Sequence, residues 1–212
     1  MFDLDKALKD AGIIPVVAIN DADKAAPMAE ALVKGGLPVI EITFRTDAAE
    51  QAIKNITANV KDAIVIAGTV LTPEQAERAV NAGAVGIVAP GLSPKTAKWC
   101  KEHDIPFCPG IQTPTEIEMA LDLGITTVKF FPAEPAGGLK MIKAVAAPYT
   151  MMRFMPTGGL NAENVKEYLQ YDKIVACGGS WIAKSSLIEN GEFDKIEALA
   201  KEAAAIVKEI RG

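Results

Sequence analysis

Residues 63–91 read AIVIAGTVLTPEQAERAVNAGAVGIVAPG. An apolar, β-branched run from Ala63 to Thr69 gives way to Thr72, Pro73 and Glu74, a combination that favours the start of a helix. Apolar positions at helical spacing follow until Gly83, where a helix should stop, and a second apolar run opens at Val85. Strand, capped helix and strand thus succeed one another through short connections, which is the pattern of a βαβ unit in a parallel sheet.

The same alternation fills the rest of the chain. IIPVVAI (13–19), PVIEITF (38–44), PFCPGI (106–111), TTVKFFP (126–132), RFMPTGG (153–159) and IVACGGS (174–180) bring the β-rich runs to eight. Segments with helical spacing, such as DADKAAPMAEALVKGG and TPTEIEMALDLGI, lie between them. Thr113, Pro114 and Glu116 repeat the helix start, and Gly35 and Gly124 repeat the stop. Eight strands, with no G-x-G-x-x-G turn after the first, favour a closed (β/α)8 TIM barrel over an open doubly wound sheet. No linker, low-complexity segment or charge block divides the chain, so residues 1–212 are expected to form a single α/β barrel domain. EFDKIEALAKEAAAIVKEIRG, at the C-terminus, reads as a last amphipathic helix.

Composition narrows the function. Lys plus Arg number 22 against 27 Asp plus Glu, a net charge of -5, which provides no basic field for a nucleic-acid backbone. Three cysteines, Cys100, Cys108 and Cys177, show no C-x-x-C spacing, and His103 is the only histidine, so neither a disulfide framework nor a metal site is expected. No run is long enough to span a membrane, and the opening MFDLDKALKD is amphipathic and acidic, unlike a secretory leader. A cytoplasmic protein is the expectation.

In barrel enzymes the chemistry sits at the C-terminal ends of the strands, so polar residues late in apolar runs are the candidates. Lys129 lies between Val128 and two phenylalanines, where desolvation disfavours an ammonium, and a neutral lysine is a nucleophile for carbonyls. The plain alternative is a lysine that snorkels to the rim or pairs with a carboxylate. Glu41 interrupts PVIEITF and by strand parity shares a face with Thr43 and Arg45. Strands two and six lie across a closed barrel, so Glu41 and Lys129 could meet inside it, as a proton-transfer pair or merely as a buried ion pair. Arg45 offers a fork for a carboxylate or phosphate, or is a surface arginine before the next helix. Runs seven and eight end in Gly158-Gly159 and Gly178-Gly179-Ser180, the barrel position at which backbone N–H groups commonly hold phosphate. Thr69 and Pro90 complete the rim, although Pro90, Pro109 and Pro132 also suit turns.

EITFR, AGTVLTPEQ, TPTE, VKFFPAE, GGLKMIKA, PTGG and CGGSW together make the chain resemble the bacterial 2-keto-3-deoxy-6-phosphogluconate (KDPG) and 4-hydroxy-2-oxoglutarate (KHG) aldolase family, over nearly its whole length. The resemblance implies a class I lyase on a (β/α)8 barrel, a homotrimer without metal or organic cofactor, acting on a small 2-keto acid phosphate. It implies Lys129 as the Schiff-base lysine and Glu41 as the general acid/base, with Arg45 and Thr69 on the pyruvate carboxylate and Gly158, Gly159 and Ser180 around the phosphate. Pro90, Phe131, Thr157 and Gly179 join the implied substrate-binding set. The chain departs from the commonest pattern at Ala18, where many relatives have arginine, and at Ala89, where they have serine. Two other readings remain open at this level: a sugar-phosphate isomerase or epimerase with Glu41 as base, and a non-catalytic trimeric assembly subunit.

Overall fold

The structure, a computed structural model, describes residues 2–212. Helix α1 (Leu4–Ala11) comes first, followed by β1 (Ile13–Val17), α2 (Ala25–Lys34), β2 (Val39–Thr43), α3 (Ala49–Asn59), β3 (Ile64–Gly68), α4 (Pro73–Asn81), β4 (Ile87–Val88) and α5 (Pro94–Glu102). Strand β5 consists of two pieces, Phe107–Cys108 and Gly110–Ile111. It is followed by α6 (Pro114–Asp122), β6 (Thr127–Phe130), α7 (Gly138–Ala146), β7 (Arg153–Pro156), α8 (Val165–Leu169), β8 (Cys177–Gly179), α9 (Ser185–Glu189) and α10 (Phe193–Arg211).

Every strand pairing is parallel. The first piece of β5 pairs with β4 and the second with β6, while β8 pairs with β1. Single bridges, Phe154 to Ile174 and Thr157 to Gly178, join β7 to the β8 segment and complete the circuit of a (β/α)8 barrel. Pro109 explains the division of β5: it has no N–H for the ladder, yet its carbonyl accepts a 2.8 Å hydrogen bond from the Lys129 amide. The eighth run is also less regular than its composition suggests, with ladder structure confined to Cys177–Gly179.

The helix signals act where the sequence places them. Thr72 Oγ1 accepts from the Gln75 amide at 3.2 Å, and Thr113 forms a reciprocal capping box with Glu116. Gly35 directly follows α2, and Gly83 and Gly124 each lie two residues beyond their helices.

Strand parity sorts the apolar residues into two cores. Ile40, Ile42, Val65, Ala67, Val128 and Phe154 face outward and pack beneath the helices with Met28, Leu32, Ile53 and Ile117. Ile14, Val39, Ile66, Val88, Cys108 and Met155 face inward and form a second cluster with Leu4 and Leu8. Helix α1 is therefore the floor of the barrel, closing its N-terminal end with an apolar plug. Among the described residues, no helix is long and apolar enough to cross a membrane, and no three His, Cys, Asp or Glu side chains gather to hold a metal ion. The three thiols are free and buried. Burial pushes the Cys100 thiol up to about 12 and moves Cys108 and Cys177 upward as well, so all three behave as small core groups. His103 is at the C-terminal end of α5, stacked on Trp99 with ring centroids 4.2 Å apart.

Leu8 is fully buried in the floor, packed in the inner apolar cluster. Leu8→Ala should lower stability by about 2–5 kcal/mol, read as a shift of the urea unfolding midpoint; a shift equivalent to less than about 1 kcal/mol would show that α1 is not part of the cooperative core.

Candidate active site

Lys129 is carried by β6, between Gly110 of β5 and Met155 of β7 in the register, and only 3% of it is exposed. Glu41, on β2, is completely buried. The two meet inside the barrel, with Nζ 2.9 Å from Oε1 and 3.3 Å from Oε2 of the carboxylate. Space for this contact comes from β3: a side chain at Gly68 would overlap the Glu41 carboxylate. Taking both charges out of water costs several kcal/mol per ion before their attraction offsets it, so such a pair is poor evidence of stabilisation and a reason to look for chemistry. The Lys129 Nζ also lies 5.5 Å from the centroid of the Phe131 ring.

Above the pair opens a cavity of about 390 Å³, at the C-terminal ends of the strands. Thr43 and Phe131, one inward position beyond Glu41 and Lys129 on the same strand faces, line it, so the ion pair lies directly beneath its wall. Arg45 enters from the end of β2, and its Nε donates a 3.0 Å hydrogen bond to Thr69 Oγ1. Thr69 has φ 56, a left-handed conformation that costs energy in a non-glycine residue and that marks the turn leaving β3.

The β7 and β8 side of the cavity is built mainly from backbone. Gly158 and Gly159, with φ 101 and 84, adopt conformations open to glycine at little cost. Among the described residues, their N–H groups have no acceptor. Thr157 lines the same wall, and among the described residues its buried hydroxyl has no hydrogen-bond partner, leaving it open to a ligand or water. Ser180, Ala18, Lys184 and Ser185 complete this end. Ser185 Oγ donates to the Ala18 carbonyl at 3.0 Å, tying the loop after β8 to the end of β1.

The residues singled out by sequence are thus brought together with two exceptions. Arg45, Phe131, Thr157, Gly158, Gly159 and Ser180 form wall, Glu41 and Lys129 lie below it, and Thr69 is bonded to Arg45. Pro90 and Gly179 stand outside the wall. The Pro90 carbonyl packs against Gly110, and the missing side chain of Gly179 faces the Trp181 ring. Strand alternation supplies the reason for the second: it is Gly178 that turns inward and lines the cavity. Sequence reasoning also passed over Lys184 and Ser185, which follow β8 in a polar stretch without a motif of its own.

An arrangement of a buried amine, a carboxylate in contact with it, a guanidinium at the rim and a backbone oxyanion site suits a dianionic carbonyl substrate. Residues 4–199 match the family described as KDPG and KHG aldolase. The chain is 47% identical over 201 residues to the 2-dehydro-3-deoxy-phosphogluconate aldolase of Haemophilus influenzae, covering 95% of each chain. It superposes with a TM-score of 0.92 on the KDPG aldolase of Legionella pneumophila, solved with pyruvate captured at low pH as a covalent carbinolamine intermediate, at 35% identity over 95% of this chain and 98% of that one. The KDPG aldolase of Zymomonas mobilis ZM4, solved with 3-phosphoglycerate, gives a TM-score of 0.89 at 40% identity over 96% of both chains. By sequence match, identity and fold, the chain belongs to the KDPG and KHG aldolase family, a family of lyases.

Proposed function

We propose that the protein is a class I aldolase that cleaves 2-keto-3-deoxy-6-phosphogluconate to pyruvate and glyceraldehyde 3-phosphate, with 4-hydroxy-2-oxoglutarate, cleaved to pyruvate and glyoxylate, as a further substrate. The observation that carries this reading is the buried 2.9 Å contact between Lys129 and Glu41 beneath an open cavity. The uncharged amine of Lys129 attacks the C2 ketone. Loss of water from the carbinolamine gives an iminium. The Glu41 carboxylate, directly or through a water it orients, then takes the proton of the C4 hydroxyl as the C3–C4 electron pair moves into the iminium, so the aldehyde departs and an enamine remains. Protonation at C3 and hydrolysis release pyruvate and restore the amine.

The other residues orient. Arg45, steadied by Thr69, holds the carboxylate beside the reacting carbonyl, and Phe131 bounds that end of the site, with Pro90 behind the wall against Gly110. Gly158, Gly159 and Ser180 receive the phosphate, Gly179 shapes the turn beside them, and the unpaired Thr157 hydroxyl is available to a substrate hydroxyl. The small side chain of Ala18 leaves room at the phosphate end, where Lys184 is the cationic wall residue. No metal or organic cofactor is required, because the iminium is itself the electron sink. The protein acts in the cytoplasm as a homotrimer; the exposed Leu71, Met119, Met141 and Met151 are apolar surface that a subunit contact would cover.

Pyruvate followed by borohydride should leave a stable reduced adduct on Lys129, since only an imine offers hydride that electrophile. Peptide mass spectrometry without an adduct, or with one on another lysine, would overturn the aldolase reading and leave a non-covalent isomerase or epimerase in its place. Glu41→Gln should still trap pyruvate while aldol cleavage falls by about 10²- to 10⁴-fold; equal losses in pre-steady-state imine formation and in cleavage would contradict a proton-shuttling role. Native mass spectrometry should give three chains per particle, and a monomer or a larger shell would refute the trimer.

A further inference from the structure

The Gly158 and Gly159 N–H groups are aimed by a neighbouring segment of chain, and that segment is itself tethered. The Ala133 amide donates to the Thr157 carbonyl at 2.8 Å, and the Glu134 amide donates to the Gly158 carbonyl at 3.0 Å. Carbonyl and N–H of a trans peptide point in opposite directions. Drawing the Thr157 and Gly158 carbonyls toward residues 133–134 therefore turns the N–H groups of Gly158 and Gly159 away from that segment, on the side where both glycines line the cavity. Both glycines also present the face that would bear a side chain to this segment. A Cβ at Gly158 would stand 3.2 Å from Pro132 Cβ, and one at Gly159 would stand 2.6 Å from Glu134 Cβ.

Glu134 is an exposed residue whose carboxylate is nonetheless tethered, because it accepts a hydrogen bond from the hydroxyl of Tyr168 on α8. Tyr168 is 2% exposed, and burial together with the neighbouring carboxylate pushes its phenol upward, so it remains a donor across the working pH range. The pair fits tightly under α7: a Cβ at Gly138 would lie 2.9 Å from the carboxylate and 3.0 Å from the phenol oxygen. The tether fixes the segment that orients two peptide planes, and it also keeps a negative charge from swinging toward a bound anion.

We propose that Glu134 and Tyr168 are positioning residues that hold the Gly158 and Gly159 N–H groups toward the phosphate of the substrate, and so set the preference for a phosphorylated aldehyde. The inference rests on the aldolase reading above. It requires neither residue to touch the substrate.

The test runs the reaction in the direction of condensation, with pyruvate and either glyceraldehyde 3-phosphate or glyceraldehyde. Tyr168→Phe removes only the hydroxyl and keeps the ring in the core. It should raise KM for glyceraldehyde 3-phosphate about 5- to 20-fold, the effect of weakened hydrogen bonds to a charged group, with kcat unchanged. KM for pyruvate and kcat/KM with glyceraldehyde should stay as in the parent. Glu134→Ala should behave as Tyr168→Phe does, and this solvent-exposed site carries the test if the tyrosine variant does not fold. Glu134→Gln, which retains an acceptor oxygen for the phenol, should keep KM for the phosphorylated aldehyde within about twofold. An unchanged KM for glyceraldehyde 3-phosphate in Tyr168→Phe and Glu134→Ala would overturn the proposal, and so would equal losses with both aldehydes. Borohydride trapping of pyruvate on Lys129 of the parent protein separates the two levels: a trapped adduct with no discrimination between aldehydes defeats this inference alone, whereas no adduct defeats the aldolase reading.

Discussion

A lysine and a glutamate inside a closed barrel, 2.9 Å apart and almost wholly shielded from water, are the constraint to which the rest of the molecule answers. Two charges in such a place are tolerated only when each satisfies the other, and removing one partner of a buried pair typically costs about 3–5 kcal/mol. The barrel supplies the conditions. β2 and β6 face each other across its interior, Gly68 leaves the volume that the carboxylate occupies, and the plug of Leu4 and Leu8 keeps the layer below apolar. The cavity lies above this polar layer, at the C-terminal ends of the strands.

The placement of cavity above and apolar plug below links packing to chemistry. Below the pair the inward side chains are Ile, Val, Leu, Cys and Met. Above it they are Thr43, Phe131 and Thr157, followed by the glycines of the cavity wall. The gradient runs along the strands toward their C-terminal ends, so the same alternation that builds the wall also delivers each functional residue to its height. Helices on the outside bury the opposite set of residues, and the two apolar clusters do not mix because the sheet lies between them.

Much of this was legible in the chain. Thr72 and Thr113 cap helices because their hydroxyls satisfy amides three residues on, a local event that spacing alone predicts. Lys129 and Glu41 stood out because a charged residue within an apolar strand run has few inexpensive explanations. The division of β5 at Pro109 was less evident, since a proline can end a strand or merely interrupt its ladder, and a hydrogen bond from Lys129 decides which. That Gly178 and not Gly179 lines the cavity was hidden for a comparable reason: two adjacent glycines look alike in sequence, and only the pairing of β8 with β1 and the place of Trp181 determine which one turns inward.

By itself, the sequence determined the periodicities: eight strand runs, helices with their starts and stops, and the parity that puts Glu41 on the face of Thr43. These follow from backbone geometry over a few residues and need no distant partner. Only the tertiary structure decided that α1 becomes the floor of the barrel, that Thr69 bonds to Arg45, that Ser185 closes onto Ala18, and that Glu134 is held by Tyr168 behind the glycines. Each of those contacts joins residues from 24 to 167 positions apart in the chain or places a helix against strands from the whole circuit. They exist because closing a sheet on itself brings every strand end to one rim, and no local pattern encodes which side chains will be neighbours there.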